Sequence, residues 1–467
     1  MATEPNLAPI LKTALAEIRG KSRLAAGISA MATRPEAFTS QAQMQLAGAA
    51  AIPEARELIE RHLDDLWART VYPVTSTPLR LAVVGAGFAA AVFSAARVLS
   101  GKSKPLVFEA SPVVGGTFAM TRNPSFYMNT LNRPGTGGLP GEGSLTYVPG
   151  ALIQPSMLTG REYNDNADLG FAIRLMLANY ATVVPSARVT SVRRLRGTPS
   201  DDLLVSLDRG AEVLVRQLID ARGPGRWAMP PGITAWDERV MSFPGLMARM
   251  DTPFPLAFDP RERWAIIGGG DSAKCAVEML LGIGPQPAMS MAGFDYVNQI
   301  DWYAPNVDRT CQSWLRNQRR RYARIAAYLP RDGETGTIYL PRDGETGTIS
   351  RPPFGGSRLF VYNRKAAVTR SMGMVIVDGR CYDRVVVCIG LQRHDPFLDR
   401  LTGMSNYGSP VPLARSSFGG RVLAVGAVAN QPFSQRESEL GVGRFDSNRL
   451  AMFRYGPRIA ALGMQLT

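Results

Sequence analysis

Two strand, glycine-turn, helix patterns, and an acid closing the strand that follows the first, predict an α/β chain with two parallel-sheet domains. A helical extension precedes both. The first pattern runs along the apolar Leu79 to Val84, turns through Gly85-Ala86-Gly87-Phe88-Ala89-Ala90 and continues as a small-residue helix to Leu99. The second repeats it at Trp264 to Ile267, Gly268-Gly269-Gly270-Asp271-Ser272-Ala273, and a helix from Lys274 to Leu281.

Each position in the first pattern has a physical reason. Gly85 permits a tight turn off the strand, Gly87 lets the backbone approach a pyrophosphate closely, and the small Ala90 lets the helix lie against the sheet. The phosphates then rest on the unpaired N–H groups that open the helix, those of Phe88 and Ala89 included, at the positive end of its dipole. A second strand, Pro105 to Phe108, ends on Glu109, nineteen residues past Ala90. That acid is spaced to accept hydrogen bonds from ribose hydroxyls, so the ligand implied is a dinucleotide.

A chain of 467 residues is too long for one ordinary core, and 45% hydrophobic with 20% charged residues describes a globular protein. No apolar run approaches the ~20 residues of a membrane-spanning helix. The N-terminus lacks the pattern of a secretory signal, and Glu4 and Glu17 argue against a transit peptide, so a cytoplasmic location is expected. Cys275, Cys311, Cys381 and Cys388 form no C-x-x-C pair. Buried thiols are expected rather than a disulfide framework or a zinc site. With only His62 and His394, histidine metal sites and Ser-His-Asp catalysis have little raw material. Net charge is +14, with 47 arginines against six lysines. Genome composition explains such a bias, and it also suits anionic ligands.

Residues 1–75 read as helical. Leu7, Ile10, Leu11, Ala14, Leu15 and Ile18 repeat at helical spacing, as do Ala55, Leu58, Ile59, Leu63, Leu66 and Trp67 behind Pro53 at a first-turn position. Acids and bases balance here, so the segment reads as an added packing or homo-oligomerisation element without a catalytic role.

After the first unit comes Ser111-Pro112-Val113-Val114-Gly115-Gly116-Thr117-Phe118, whose paired glycines offer a second close backbone approach to the coenzyme. With this segment the chain resembles the flavoproteins with two dinucleotide-binding domains, and specifically the flavin-containing, Baeyer–Villiger and N-hydroxylating (class B) monooxygenases. In that family a G-G-T-aromatic segment follows the FAD motif. The likeness spans roughly residues 79–450 in motif order. It implies a Rossmann-like FAD-binding domain over 76–225 and 391–467, with an NAD(P)-binding domain inserted over 226–390. That insert itself carries an insertion over 293–355.

Residues 124–160 form a loop rich in glycine and proline, in which Asn129, Asn132 and Arg133 are candidates to reach a flavin ring or substrate. An amphipathic helix and a strand are expected over 168–193, and Leu203 to Leu207 with Val213 to Asp220 read as a hairpin. Ala221-Arg222-Gly223 stands where the family carries Ala-Thr-Gly at the exit from the FAD domain, with arginine replacing threonine.

Past the second glycine turn, Ala288 to Met291 is the next apolar run, and it ends without an acid for a ribose or an arginine for a 2′-phosphate. Arg316 to Arg324 holds five arginines. It reads as an NADPH phosphate clamp, a nucleic-acid or acidic-partner patch, or a solvated helix face. Leu329 to Ile338 recurs unchanged as Leu340 to Ile349, a tandem duplication suited to a surface hairpin around Asp-Gly. The run Tyr382 to Leu391 resembles the strand by which these flavoproteins leave the nicotinamide domain. Gly426, after Arg421 to Val425, corresponds to a turn that lies against the FAD chain, with Ala427 replacing the usual aspartate. A closing helix is expected after Arg444.

The resemblance implies FAD and NAD(P)H, with NADPH favoured. The activity implied is transfer of one oxygen atom of O2, through a flavin C4a-(hydro)peroxide, to a small-molecule amine, sulfur or carbonyl. The region Arg239 to Gly245, which matches the family's phenylalanine-glycine-histidine fingerprint, holds no histidine. A flavin oxidase or dehydrogenase without a working NAD(P)H site therefore stays open, as does an RNA-associated or nucleotide-binding interaction protein. No cysteine pair supports a disulfide reductase, and no membrane partner is implied.

Overall fold

The computed structural model describes residues 53–70, 77–119, 127–131, 163–195, 202–223, 225–250, 261–280, 299–305, 346–349, 358–392, 401–404, 414–416, 421–425 and 456–466. The chain divides into two compact units, the second made of Thr121–Tyr127 and Arg226–Gln392 and the first of the remainder.

The first unit begins with helix α1 (Pro53–Ala68) and strand β1 (Ala82–Val84), followed by α2 (Phe88–Leu99) and β2 (Leu106–Phe108). Helix α3 (Asn166–Tyr180) leads into β3 (Thr182–Val184), then β4 (Val189–Arg194), β5 (Leu203–Leu207), β6 (Glu212–Val215) and β7 (Leu218–Asp220). The expected hairpin thus ends at β6, and Leu218–Asp220 joins a different sheet, because Arg216 and Gln217 break the apolar run between them.

The second unit holds β8 (Val240–Ser242), α4 (Phe243–Met250), β9 (Arg263–Ile267), α5 (Asp271–Leu280), β10 (Gln299–Tyr303), β11 (Thr346–Ile349), β12 (Arg358–Tyr362), β13 (Val368–Ser371), β14 (Met374–Val377), β15 (Arg380–Tyr382) and β16 (Arg384–Val387). The first unit closes with β17 (Val422–Ala424) and α6 (Gly456–Gln465).

Both units are built in the same three layers. In the first, the parallel sheet runs β17-β7-β1-β2-β3. Strand side chains alternate between faces. Val83, Val107, Val183, Ile219 and Leu423 therefore pack with the helices, while Ala82, Val84, Leu106, Phe108 and Leu218 pack against the antiparallel meander β4-β5-β6. In the second, the sheet runs β8-β16-β9-β10-β12-β11, parallel except for its last strand. Trp264, Ile266, Ile300 and Trp302 face α4 and α5, while Ala265, Ile267, Val385 and Val387 face the meander β13-β14-β15. The turn between β14 and β15 has positive φ at Asp378 and Gly379, the hairpin geometry that this pair of residue types favours.

Strand β10 lies within 293–355, the stretch expected as an insertion, and Ala288 to Met291 lie outside the described residues. Thr346–Ile349, the end of the second repeat copy, is the edge strand β11. Within the expected loop 124–160, Tyr127–Leu131 is a strand paired with Tyr163–Asp165.

Helix α1 spends its apolar face inside the chain, since Ile59, Leu63 and Trp67 belong to the first unit's core. Residues 1–52 lie outside the described residues. The closing helix α6 seats Gly463 on α2, where a Cβ would stand 2.5 Å from the Phe93 carbonyl oxygen. Its last carbonyls are capped from α2 and the turn after it: Arg97 donates to Leu466 O at 2.7 Å, and the Lys102 ammonium to Met464 O and Leu466 O at 2.6 Å each.

The face of β10 under the meander carries a buried carboxylate. Asp301 is fully buried and accepts from Gln299 Nε2 at 3.0 Å, from the Tyr382 hydroxyl, and from the Tyr362 hydroxyl at 3.5 Å. Tyr303 meets the Tyr382 hydroxyl at 2.8 Å and stacks on Tyr362 with centroids 4.6 Å apart. Burial pushes the Tyr362 phenol up to about 12 and raises Tyr303 and Tyr382 as well. All three stay protonated and able to donate, which satisfies the carboxylate and ties the meander to the sheet.

Candidate functional site

Each glycine turn sits at the carboxyl end of its sheet, at the point where strand order reverses, which is where open α/β sheets bind ligands. In the first unit that point lies between β1 and β7. Gly85 has φ +94°, and a Cβ on it would stand 2.7 Å from Arg222 Cα and 2.8 Å from the Ala221 carbonyl oxygen. Its own N–H donates to Phe108 O at 2.7 Å, and Ala221 N–H donates to Val84 O at 2.8 Å. The turn is therefore locked to both neighbouring strands, and no other residue type fits there.

Helix α2 then opens on Gly87, in extended conformation and with no side-chain cap. Its first intrahelical bond runs from Ala91 N–H to Gly87 O at 3.0 Å. The amides of Gly87, Phe88, Ala89 and Ala90 precede that bond and have no intrahelical acceptor. The Phe88 and Ala89 side chains are buried in the core, so these residues present only backbone donors. Ala90 is fully buried against the sheet, as its small size requires.

Glu109 closes the other side of this mouth. Its Oε2 accepts from Ala86 N–H at 2.7 Å and its Oε1 from Ser111 N–H at 2.8 Å. Burial is the main influence on its carboxyl and raises its pKa, opposed by the amides of Ala86, Ser111 and Ala110 and by the charge of Arg188. A carboxylate has about four acceptor sites, so beyond these amides it keeps capacity for a ribose hydroxyl.

The paired glycines have a reason inside the chain. Gly115 has φ +118°, and its N–H donates to Ala86 O at 2.9 Å. A Cβ on Gly116 would stand 3.0 Å from Gly87 Cα. The 3-10 turn Gly116–Phe118 is thereby pressed against the first turn's backbone, with Thr117 exposed and Phe118 packed on the core. Arg222 replaces threonine without leaving a loose charge: its guanidinium grips the buried Asp220 carboxylate at 3.0 Å on both oxygens. Nothing in the sequence pattern flagged Asp220, although its spacing to Arg222 suits that fork.

The second turn repeats this plan. Gly268 has φ +125°, and a Cβ there would lie 2.2 Å from the Cys388 carbonyl oxygen. Gly268 N–H donates to Tyr303 O at 2.9 Å, Cys388 N–H to Ile267 O at 2.7 Å, and Trp302 Nε1 to Gly268 O at 2.8 Å. Gly270 faces open space, with no atom within 4 Å of a Cβ built on it. Asp271 begins α5, Ser272 is half-buried, and Ala273 is buried. Cys275 and Cys388 are both buried, and burial first, then the neighbouring Cys275, push the Cys388 thiol up, so it stays protonated.

The structure thus brings Gly85, Gly87, Phe88, Ala89, Ala90, Glu109, Gly115, Gly116, Thr117 and Phe118 together, and Gly268, Gly270, Asp271, Ser272 and Ala273 together in the other unit. Asn129 lies on the strand Tyr127–Leu131. Asn132, Arg133, Gly426 and the arginine run 316–324 lie outside the described residues. Among the described residues no group of acids, cysteines and histidines could hold a metal, and no helix is long and apolar enough to cross a membrane.

The residues of the first mouth fit a dinucleotide: an uncapped helix start, a backbone pressed close at Gly87, and a half-buried carboxylate with spare acceptors. Those of the second fit at Gly268 and Gly270. Replacing Gly85 or Gly268 with alanine forces backbone atoms apart at a left-handed φ, and each variant should lose its folded circular dichroism signal or melt well below the parent. Gly270→Ala should melt within a degree or so of the parent, as expected for a change of under about 0.5 kcal/mol.

No known family profile matches the sequence, and no curated protein matches it. Solved structures do match. An ornithine N-hydroxylase from Kutzneria sp. 744 is 15% identical, with a TM-score of 0.50 over 83% of this chain and 99% of that one. An L-lysine 6-monooxygenase from Pseudomonas syringae is 13% identical, with a TM-score of 0.49 over 83% and 100%. A flavin-containing monooxygenase from Stenotrophomonas maltophilia is 16% identical, with a TM-score of 0.42 over 83% and 98%. Of these three the ornithine N-hydroxylase carries the comparison, and at such identity it speaks to fold. Across most of its length the chain matches that ornithine N-hydroxylase in fold.

Proposed function

We propose that the chain is an FAD-dependent, NAD(P)H-consuming monooxygenase acting on a small molecule. The observation that carries this reading is the doubled mouth: two glycine turns at two switch points, each wedged against the residue that follows a neighbouring strand. One such turn is a nucleotide site; two in one chain suit a resident flavin coenzyme and a reductant. When bound, the flavin would supply hydride acceptance and O2 activation, and the ornithine N-hydroxylase was solved with reduced FAD, NADP+ and L-ornithine.

The chain's own groups have the following roles in this proposal. The amides of Gly87, Phe88 and Ala89 hold the FAD pyrophosphate, and the dipole of α2 favours its charge. Glu109 orients the adenosine ribose. Thr117 offers a hydroxyl beside the same mouth. Asn129, Asn132, Arg133 and Gly426 enter this proposal as flavin or substrate contacts on the sequence resemblance. Gly268, Gly270 and the start of α5 at Asp271, Ser272 and Ala273 receive the nicotinamide coenzyme. Acid–base side chains are little needed, since protein contributes orientation and dryness to such chemistry. The scarcity of histidine is compatible with it.

A second reading has one specific support. Strand β10 is followed by Ala304 and Pro305, neither of which supplies a ribose acid or a 2′-phosphate cation. A flavin oxidase or dehydrogenase needs no such group. Anaerobic mixing separates the two: the monooxygenase reading expects the yellow protein to bleach with NADPH and recolour in air with O2 uptake. Bleaching by an organic substrate alone, and by neither NADPH nor NADH, would favour the oxidase.

Glu109 gives a pH test. Its folded pKa is raised, so the apoprotein binds its proton more readily than the unfolded chain does. Its contribution to stability therefore falls as pH rises from the ordinary carboxylate range through the raised value. Ribose hydroxyls donate to the ionised form, so FAD affinity should weaken as pH drops through that raised value. Glu109→Gln should flatten the profile and weaken FAD binding roughly 10- to 100-fold. A parent profile as flat as the variant's would remove Glu109 from the site.

A further inference from the structure

Arg174 is the point where the N-terminal helix meets the flavin mouth. It lies in α3, its residue only 2% exposed, and no motif includes it. Its Nη1 donates to Val114 O at 3.2 Å. Its Nη2 donates to Asp64 Oδ1 at 2.6 Å and to Glu60 O at 3.4 Å, both on α1. The guanidinium stands 4.9 Å over the Trp67 ring, also on α1. One side chain therefore grips α1 with three contacts and the paired-glycine turn with a fourth.

The same side chain shapes that turn sterically. A Cβ on Gly115 would stand 3.1 Å from Arg174 Cγ. One helical turn earlier on α3, Gly170 is pressed against the turn's far end, where a Cβ would lie 2.3 Å from the Phe118 carbonyl oxygen. The turn in its fixed place donates Gly115 N–H to Ala86 O and sets Gly116 against Gly87. Rigid contacts thus run from Asp64 and Trp67 through Arg174 to Val114 and Gly115, and on to Ala86 and Gly87, the residues that open α2.

We infer that Arg174 is a positioning residue for the dinucleotide mouth, and that α1 is the backstop that fixes its guanidinium. It holds the Gly115-Gly116 turn at the separation from Gly87 that a pyrophosphate requires. Arginine suits this task because its planar fork addresses two directions at once, which an ammonium cannot do. The inference rests on the reading that FAD docks at this mouth. It makes α1 part of the coenzyme site, where the sequence suggests an added packing or homo-oligomerisation element.

Asp64→Asn and Arg174→Lys test it in the full chain. Asp64 is partly exposed, so its replacement leaves the core intact, and lysine keeps the charge of Arg174 while losing the fork. Two readouts are needed. Amide hydrogen exchange of the apoprotein should speed up at Val114 to Ala119 and at Gly87 to Ala89 in both variants, with the strands β1, β2 and β3 unchanged. Release of FAD should be at least roughly tenfold faster in both variants than in the parent. A global loss of stability would instead raise exchange across all these strands. Parent-like exchange at 114–119, or parent-like FAD release in variants whose turn has loosened, would overturn the inference. A parent that does not retain FAD would sink the flavin reading, and the exchange pattern would still decide whether Arg174 and α1 brace the turn.

Discussion

The structure depends on one contact made twice: a strand's exit backbone lies so close to a glycine turn that no side chain can stand between. At Gly85 the intruding backbone is Ala221 and Arg222; at Gly268 it is Cys388. In both cases the glycine has a left-handed φ, and the exit segment reaches a second positive-φ glycine two residues past its contact, Gly223 or Gly390. Such an approach brings together a turn, a helix start and a neighbouring strand end at the switch point of the sheet. That is the geometry that leaves helix amides facing a ligand. The chain enters the second unit at Arg226–Trp227 and leaves it at Leu391–Gln392, and these two short strands pair with one another.

Around each contact the layers repeat: helices on one face of a parallel sheet, a three-stranded meander on the other. The meander of the second unit is fixed by a polar network as well as by apolar packing. Asp301 collects donors from its own strand and from two others, at Gln299, Tyr362 and Tyr382, and Arg380 lies 3.9 Å from it while donating to the Tyr362 hydroxyl. A buried carboxylate with this many donors fixes one register of the meander on the sheet, since a slip by one residue would bury the charge without partners. In the first unit, the meander β4-β5-β6 is held to the sheet by apolar side chains from Val189 to Val215.

What the sequence made legible was local in kind. The glycine spacing, the acid at Glu109, the helical repeat behind Pro53, the helix expected within 168–193 and the apolar strands all lie in short windows that identify them. The departure at Arg222 was visible as well, though its explanation, the grip on Asp220, needed the fold. Strand β10 escaped because its meander-facing positions are Gln299, Asp301 and Tyr303, so it does not read as an apolar run. The contacts that hold the first mouth and the second unit's meander were hidden by distance along the chain. Arg174 and Asp64 are 110 residues apart, and Asp301 and Tyr382 are 81. Neither pair forms a pattern that a window could detect. The paired glycines at 115–116 were recognised for their freedom. Their packing against Gly87, Ala119 and Arg174 is a property of the fold.

On the proposed function, a dinucleotide places its diphosphate on the amides that open α2. A crystal structure of the chain grown with FAD tests it most directly. Phosphate oxygens should lie within hydrogen-bond distance of the Gly87, Phe88 and Ala89 amides, with the adenosine ribose on Glu109. Coenzyme bound elsewhere, with the Gly115-Gly116 turn closed over those amides, would contradict it.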